Sequence, residues 1–157
     1  GGTAPYTPAT LWWGSFDLSS GTFTMAEDAM WGLQLVWPGE TSDPWARPCT
    51  DLWLDAGGYL WASGASDPGD GGPFRSVIYR IGKFDPKQSY PIMYEMDRDM
   101  VWYLDGLKVE AIGPAVVPGS ILTFCTDDEA YGGIWRPLPM VAPKQRPAMP
   151  YYGEYGG

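Results

Sequence analysis

An all-β domain built from two antiparallel sheets, jelly-roll in form, is the fold the sequence predicts. Three observations predict it. The 157 residues carry 21 Gly and 16 Pro, which interrupt the chain too often for long helices. Between the breaks lie short runs rich in aromatic and β-branched residues, the composition of strands. Several of these runs alternate apolar and polar residues with period two. Eight or so short strands at such spacing pack as two sheets, with a partly open barrel as the alternative form.

Residues 1–10, with Pro5, Tyr6 and Pro8, read as an extended N-terminal arm, and 11–135 as the β-domain. Strands are expected at Leu11–Asp17 and Gly21–Met25. Thr24-Met25-Ala26-Glu27 has the form of a capping box, so the chain through Met30 reads either as one helical turn or as a loop or strand continuation. Met30–Trp37 alternates, with Trp31, Leu33, Leu35 and Trp37 on one side. Residues 38–50 read as a Pro-rich connection carrying Trp45 and Cys49. Asp51–Leu54 and Tyr59–Ala62 flank the hairpin loop Asp55-Ala56-Gly57-Gly58. A Gly/Asp-rich loop over Ser63–Pro73 precedes a strand at Phe74–Gly82, a turn at Lys83–Ser89 and a strand at Tyr90–Met96.

Over Met100–Ile112, Asp105-Gly106 is a favoured two-residue turn. Pairing outward from it sets Leu104 opposite Leu107, Trp102 opposite Val109 and Met100 opposite Ala111, all apolar and on one face. Tyr103/Lys108 and Val101/Glu110 form the other, mixed face. Ser120–Thr126 is a further strand. Residues 136–157, with Pro137, Pro139, Pro143, Pro147 and Pro150, then Tyr151, Tyr152 and Tyr155, read as an extended C-terminal arm without regular strand. The stretch 93–112 (Met-Tyr-Glu-Met-Asp-Arg-Asp-Met-Val-Trp-Tyr-Leu-Asp-Gly-Leu-Lys-Val-Glu-Ala-Ile) resembles the strand–turn–strand element of concanavalin-like and laminin-G-like β-sandwiches. That resemblance implies a jelly-roll sandwich of a kind that often binds carbohydrate. The ligand residues of those families rely on Asn and His, so no site residue follows from it.

Composition limits the chemistry. Nineteen acidic against 10 basic residues give a formal charge of −9, which disfavours nucleic acid and anionic membrane as partners. The chain has no His, so Ser-His-Asp, Cys-His and Cys/His zinc arrangements do not arise. It also has no Asn, hence no N-glycosylation acceptor. Cys49 and Cys125, the only cysteines, are expected as free, partly buried thiols. The acidic pairs Asp97/Asp99 and Asp51/Asp55 could serve glycoside hydrolysis, and Ser66–Gly72 or Asp127-Asp128-Glu129 could offer oxygens to calcium. A chain with 19 acidic residues produces such pairs by chance, and solvated turns and flexible polar loops are the favoured reading of these segments. No cofactor or metal is expected. Lys144–Pro150 fits a basic polyproline ligand or an arm packing on its own domain or a neighbour.

Tryptophan, at 9 residues, is the ingredient that points to contact with partners. Trp31, Trp37 and Trp102 fall on apolar faces and belong to a core. Trp12 and Trp13 are adjacent, so a strand turns them to opposite faces. Trp45, Trp53, Trp61 and Trp135 lie in or beside turns. The expected interaction residues are Tyr6, Trp12, Trp45, Trp61, Trp135, Tyr151, Tyr152 and Tyr155. The expectation is a non-enzymatic structural protein, one unit of a symmetric assembly such as a viral capsid or its protrusions. Its partners would be its own copies and a larger scaffold, at a virion surface or outside the cell. A start at Gly1 is read as a processed or excised product. A carbohydrate-binding module is the alternative, and a carboxylate-pair hydrolase ranks third.

Overall fold

The computed structural model describes residues 8–30, 32–36, 38, 43–94 and 100–140. These residues form twelve strands in four antiparallel sheets, with two 3-10 turns and no α-helix among them. The largest sheet joins β5 (Ala46–Leu54), β6 (Tyr59–Ser66), β7 (Arg75–Phe84), β8 (Ile92–Tyr94) and β9 (Val101–Asp105). Strands β5, β6 and β7 follow one another as a meander; β9 then pairs with the first half of β7 and β8 with its end. The β5–β6 hairpin turns at residues 55–58 as the sequence predicts, with Leu54 opposite Leu60 and Trp53 opposite Trp61.

Strand β7 explains the layering. Its Val77, Ile78, Tyr79 and Ile81 are apolar in near-continuous order, as a strand covered on both faces requires. Val77, Tyr79 and Ile81 join Trp13, Leu35 and Val101 in one core, beneath the small sheet of β1 (Ala9–Leu11) and β4 (Leu33–Leu35). Ile78 faces the other way, joining Trp61 and Trp102 against Val109, Ile112, Leu122, Phe124 and Leu138. The latter five come from or border the three-stranded sheet β10 (Val109–Pro114), β11 (Ser120–Thr126) and β12 (Trp135–Pro139). Side chains of β5 tie these two sheets together: Thr50 Oγ1 donates to Val109 O at 2.9 Å, and Ile112 N donates to Asp51 Oδ2 at 2.8 Å.

Several expectations are corrected. Met100–Ile112 is not a hairpin: β9 pairs with β7 and β10 with β11, so Asp105-Gly106 carries the chain from one sheet to the other. The apolar set Met100, Trp102, Leu104, Leu107 and Val109 does share one core, but as facing layers rather than a ladder. Burial of Val101 and Lys108 decides this, because the supposedly polar face is also covered. Strand β5 begins at Ala46, inside the expected connection, and β6 runs on to Ser66. The helical turn is a 3-10 turn at Glu27–Ala29 that follows Ala26 and has no side-chain cap, so Thr24 stays in β3. Strand β12 enters the supposed C-terminal arm; among the described residues it pairs only with β11, and such an edge tolerates Pro137 and Pro139 while Leu138 reaches the core. Cys49 and Cys125 are free, Cys49 half-buried and Cys125 exposed.

Candidate functional site: a projecting apolar hairpin

Strands β2 (Gly14–Asp17) and β3 (Thr22–Met25) form a hairpin in which all eight residues are exposed. Its two ends are anchored. Trp13 sits in the core, edge-on to Tyr90 at 4.7 Å between ring centroids, and Ala29 is fully buried. Ala26 N donates to Trp13 O at 3.0 Å and closes the base. Between those anchors Phe16 lies directly opposite Phe23 and Gly14 opposite Met25. Phe16 is 58% exposed, Phe23 55% and Leu18, at the loop, 88%. A two-stranded hairpin alone in water is marginal, so its order needs explanation.

The loop supplies part of it. Asp17 Oδ1 accepts from Ser19 N and Ser19 Oγ, and Oδ2 from Ser20 Oγ, each at 2.8 Å. Gly21 N donates to Asp17 O at 2.8 Å, with Gly21 at φ +68°, a conformation that suits glycine. The Ser19 and Ser20 hydrogen bonds favour the ionised Asp17 carboxylate and pull its pKa down to about 2. Gly14 supplies another part: a Cβ there would meet Thr24 O at 2.1 Å, so the close approach of the strands requires glycine.

What remains is apolar surface. With ~200 Å² for each large side chain, the exposed portions of Phe16, Leu18, Phe23 and Met25 amount to on the order of 500 Å². A patch of this size matches the largest that a typical monomer exposes, and such patches are often functional.

Of the expected interaction residues, Trp12 is exposed, immediately before Trp13 and the hairpin, while Trp45 and Trp135 are each exposed elsewhere. Trp45 lines a groove of about 310 Å³ with Asp43, Pro44, Ser66, Pro68, Pro73 and Arg75, to which Trp12 and Trp135 do not contribute. Trp61 is corrected: it is 2% exposed, packed on Trp102 at 5.8 Å, with its indole N–H donated to Asp55 Oδ2 at 2.9 Å. Trp53, directly opposite Trp61 on the neighbouring strand, faces the same core and is partly buried against it. Tyr6, Tyr151, Tyr152 and Tyr155 lie outside the described residues, as do Trp31, Trp37, Asp97, Asp99 and Lys144–Pro150.

The acidic candidates within the described residues are engaged in structure. Asp51 accepts from Leu52 N and Ile112 N, and Asp55 from Tyr59 N and Trp61 Nε1. The Ser66–Gly72 and Asp127–Glu129 segments converge on Lys108, whose side chain is nearly buried. Asp67 Oδ2 lies 3.4 Å from its Nζ, and Glu129 Oε1 is bonded to it. The Glu129 bond raises the Lys108 pKa against the opposing effect of burial, with Asp67 adding to the rise. Asp128 accepts from Lys108 N at 2.7 Å and Thr126 Oγ1 at 2.8 Å. No group of three or more ligand side chains suited to a metal occurs among the described residues.

The sequence reading placed strands at the hairpin but missed Phe16, Leu18, Phe23 and Met25 as surface residues. Phenylalanines on paired strands look the same in a core or at an interface. The usable signal was Leu18, an apolar residue in a Ser/Gly turn where polar residues are the rule. No family model, curated protein or solved structure matches the chain.

Proposed function

We propose that this chain is a non-enzymatic structural protein, one unit of a symmetric assembly such as a capsid or its surface protrusions, and that the β2–β3 hairpin is its assembly contact. The observation that carries the reading is a hairpin held in shape at loop and base yet exposed along both strands. A shape fixed in advance lowers the ordering cost of association. The layering of the two larger sheets on one core supports a β-sandwich, and the β9-to-β10 passage between sheets supports its jelly-roll form. Sedimentation velocity of the full chain across a concentration series tests the assembly role. Self-association is expected, and Phe16→Ser with Phe23→Ser should abolish it while leaving the circular-dichroism spectrum of the folded chain unchanged. A wild-type chain that stays monomeric throughout, alone and with its scaffold, overturns the proposal.

The second reading, carbohydrate binding, is favoured by the exposed Trp45 ring beside Asp43, Ser66 and Arg75, a flat apolar face next to polar groups. A glycan array probed with the wild type and Trp45→Ala decides it: binding that Trp45→Ala leaves intact removes this site.

A further inference from the structure

We propose that the partner of the hairpin is a second copy of this chain, joined edge to edge through β3 in an antiparallel two-fold pair, with Thr24 facing Thr24 across the axis. This rests on the hairpin being the assembly contact, and adds the partner, the strand and the register.

The first argument is that β3 is an unguarded edge. Among the described residues it pairs only with β2. Free edges are normally blunted by lysine, proline, bulges or inward charges, and β12 follows that rule with Pro137 and Pro139. Thr22-Phe23-Thr24-Met25 has no charge, no proline and no glycine. Its neighbour β2 carries both Gly14 and Asp17, so β3 is the stickier edge.

The second argument is the phase of the hydrogen bonds. Ala26 N donates to Trp13 O, which makes Trp13–Ala26 a hydrogen-bonded pair of the ladder. Bonded and non-bonded pairs alternate in an antiparallel ladder. Ser15–Thr24 and Asp17–Thr22 are then bonded pairs, and Phe23 and Met25 turn their N–H and C=O groups to the free edge. That edge is self-complementary. With the axis at Thr24, Phe23 stands opposite Met25 of the second copy and Met25 opposite its Phe23, so every outward group of both strands is used. Moving the axis to Phe23 would set Met25 opposite Gly21, whose N–H is already donated to Asp17 O.

The side chains agree with this register. Phe16, Phe23 and Met25 share one face of the hairpin, and pairing at Thr24 sets Phe23 beside Met25 of the second copy, so each copy covers a flank of the other's Phe23 and Met25 while the Phe16 side continues across both hairpins.

In the pair, Thr24 occupies a non-bonded position, where facing Cα atoms lie about 4.5 Å apart, within the range a disulfide bridges. Thr22 faces Ala26 of the second copy and has no thiol partner. The test is made in the full-length chain with Cys49→Ala and Cys125→Ser, adding Thr24→Cys or Thr22→Cys, under mild oxidation. Products are read on non-reducing gels, with sedimentation of the reduced proteins alongside. Near-complete dimer from Thr24→Cys and little from Thr22→Cys is expected. Equal cross-linking of the two overturns the register. Reduced dimers that give no Thr24→Cys cross-link overturn β3 pairing while leaving the assembly reading intact. A monomer that associates only with some other protein overturns the choice of partner, and a monomer under every condition overturns both.

Discussion

Ser76→Ala isolates what holds the passage between the two larger sheets. Ser76, 2% exposed on β7, donates its hydroxyl to Leu107 O and accepts from Val109 N, both at 2.8 Å. The alanine methyl fills the same space but satisfies neither group. Val109 is fully buried, so its N–H loses its partner where water does not reach. An orphaned buried donor costs about 1–3 kcal/mol, and the half-buried Leu107 carbonyl adds a smaller amount. The total is about 2–3 kcal/mol. A domain of this size shifts by about 2–4 °C per kcal/mol, so a fall of about 5–10 °C is expected by calorimetry. Hydrogen exchange should speed up first at the Val109 amide. A melting temperature within about 1 °C of wild type, with Val109 exchange unchanged, would refute the claim that Ser76 secures the crossover.

Two further outcomes follow from the charged groups. The Asp17 carboxyl is held at about 2, below the 3.8 of the free group, so its contribution to loop order is complete above that ordinary value. It is lost as pH falls from about 4 through about 2; NMR of the Ser19 amide should report this, and Asp17→Asn should remove the transition. Replacing Lys108 by Met leaves Glu129 without its cation and Asp67 with Arg47 alone, at 3.2 Å, and should cost about 2 kcal/mol. Partial exposure of Glu129 holds the cost below that of a fully buried pair. A variant as stable as wild type in urea would show the network to be dispensable.

The β5–β6 hairpin and the span of β11 were legible because local information suffices there. Asp55-Ala56-Gly57-Gly58 has turn chemistry and equal-length flanks, and Ser120–Thr126 is bounded by Pro118-Gly119 and an acidic cluster. At Asp105-Gly106 the same reasoning failed. Gly106 does adopt the left-handed conformation a turn requires, at φ +81°, yet the chain leaves the sheet. A turn dipeptide specifies a reversal and not which strand lies alongside. β9 found a better neighbour in β7, with cores on both faces, and Ser76 and Asp128 captured the backbone after the turn. The expectation that the C-terminal arm lacks a strand failed for a similar reason, since an edge strand with one buried leucine tolerates two prolines.

The sequence alone established an acidic, histidine-free chain of short strands, and with it the absence of His-based catalysis in this chain. It also assigned Trp102 to the core and recognised that Trp12 and Trp13 face opposite ways. Which aromatics remain outside was decided by tertiary structure. Burial depends on what lies across the sheet, and strand period reports only that two faces differ. Trp61, beside a turn, lies under the three-stranded sheet because Trp102 and Ile78 meet it there. Phe16 and Phe23 face each other across the ladder and alternate with polar residues as core strands do, but no described layer of this chain covers them.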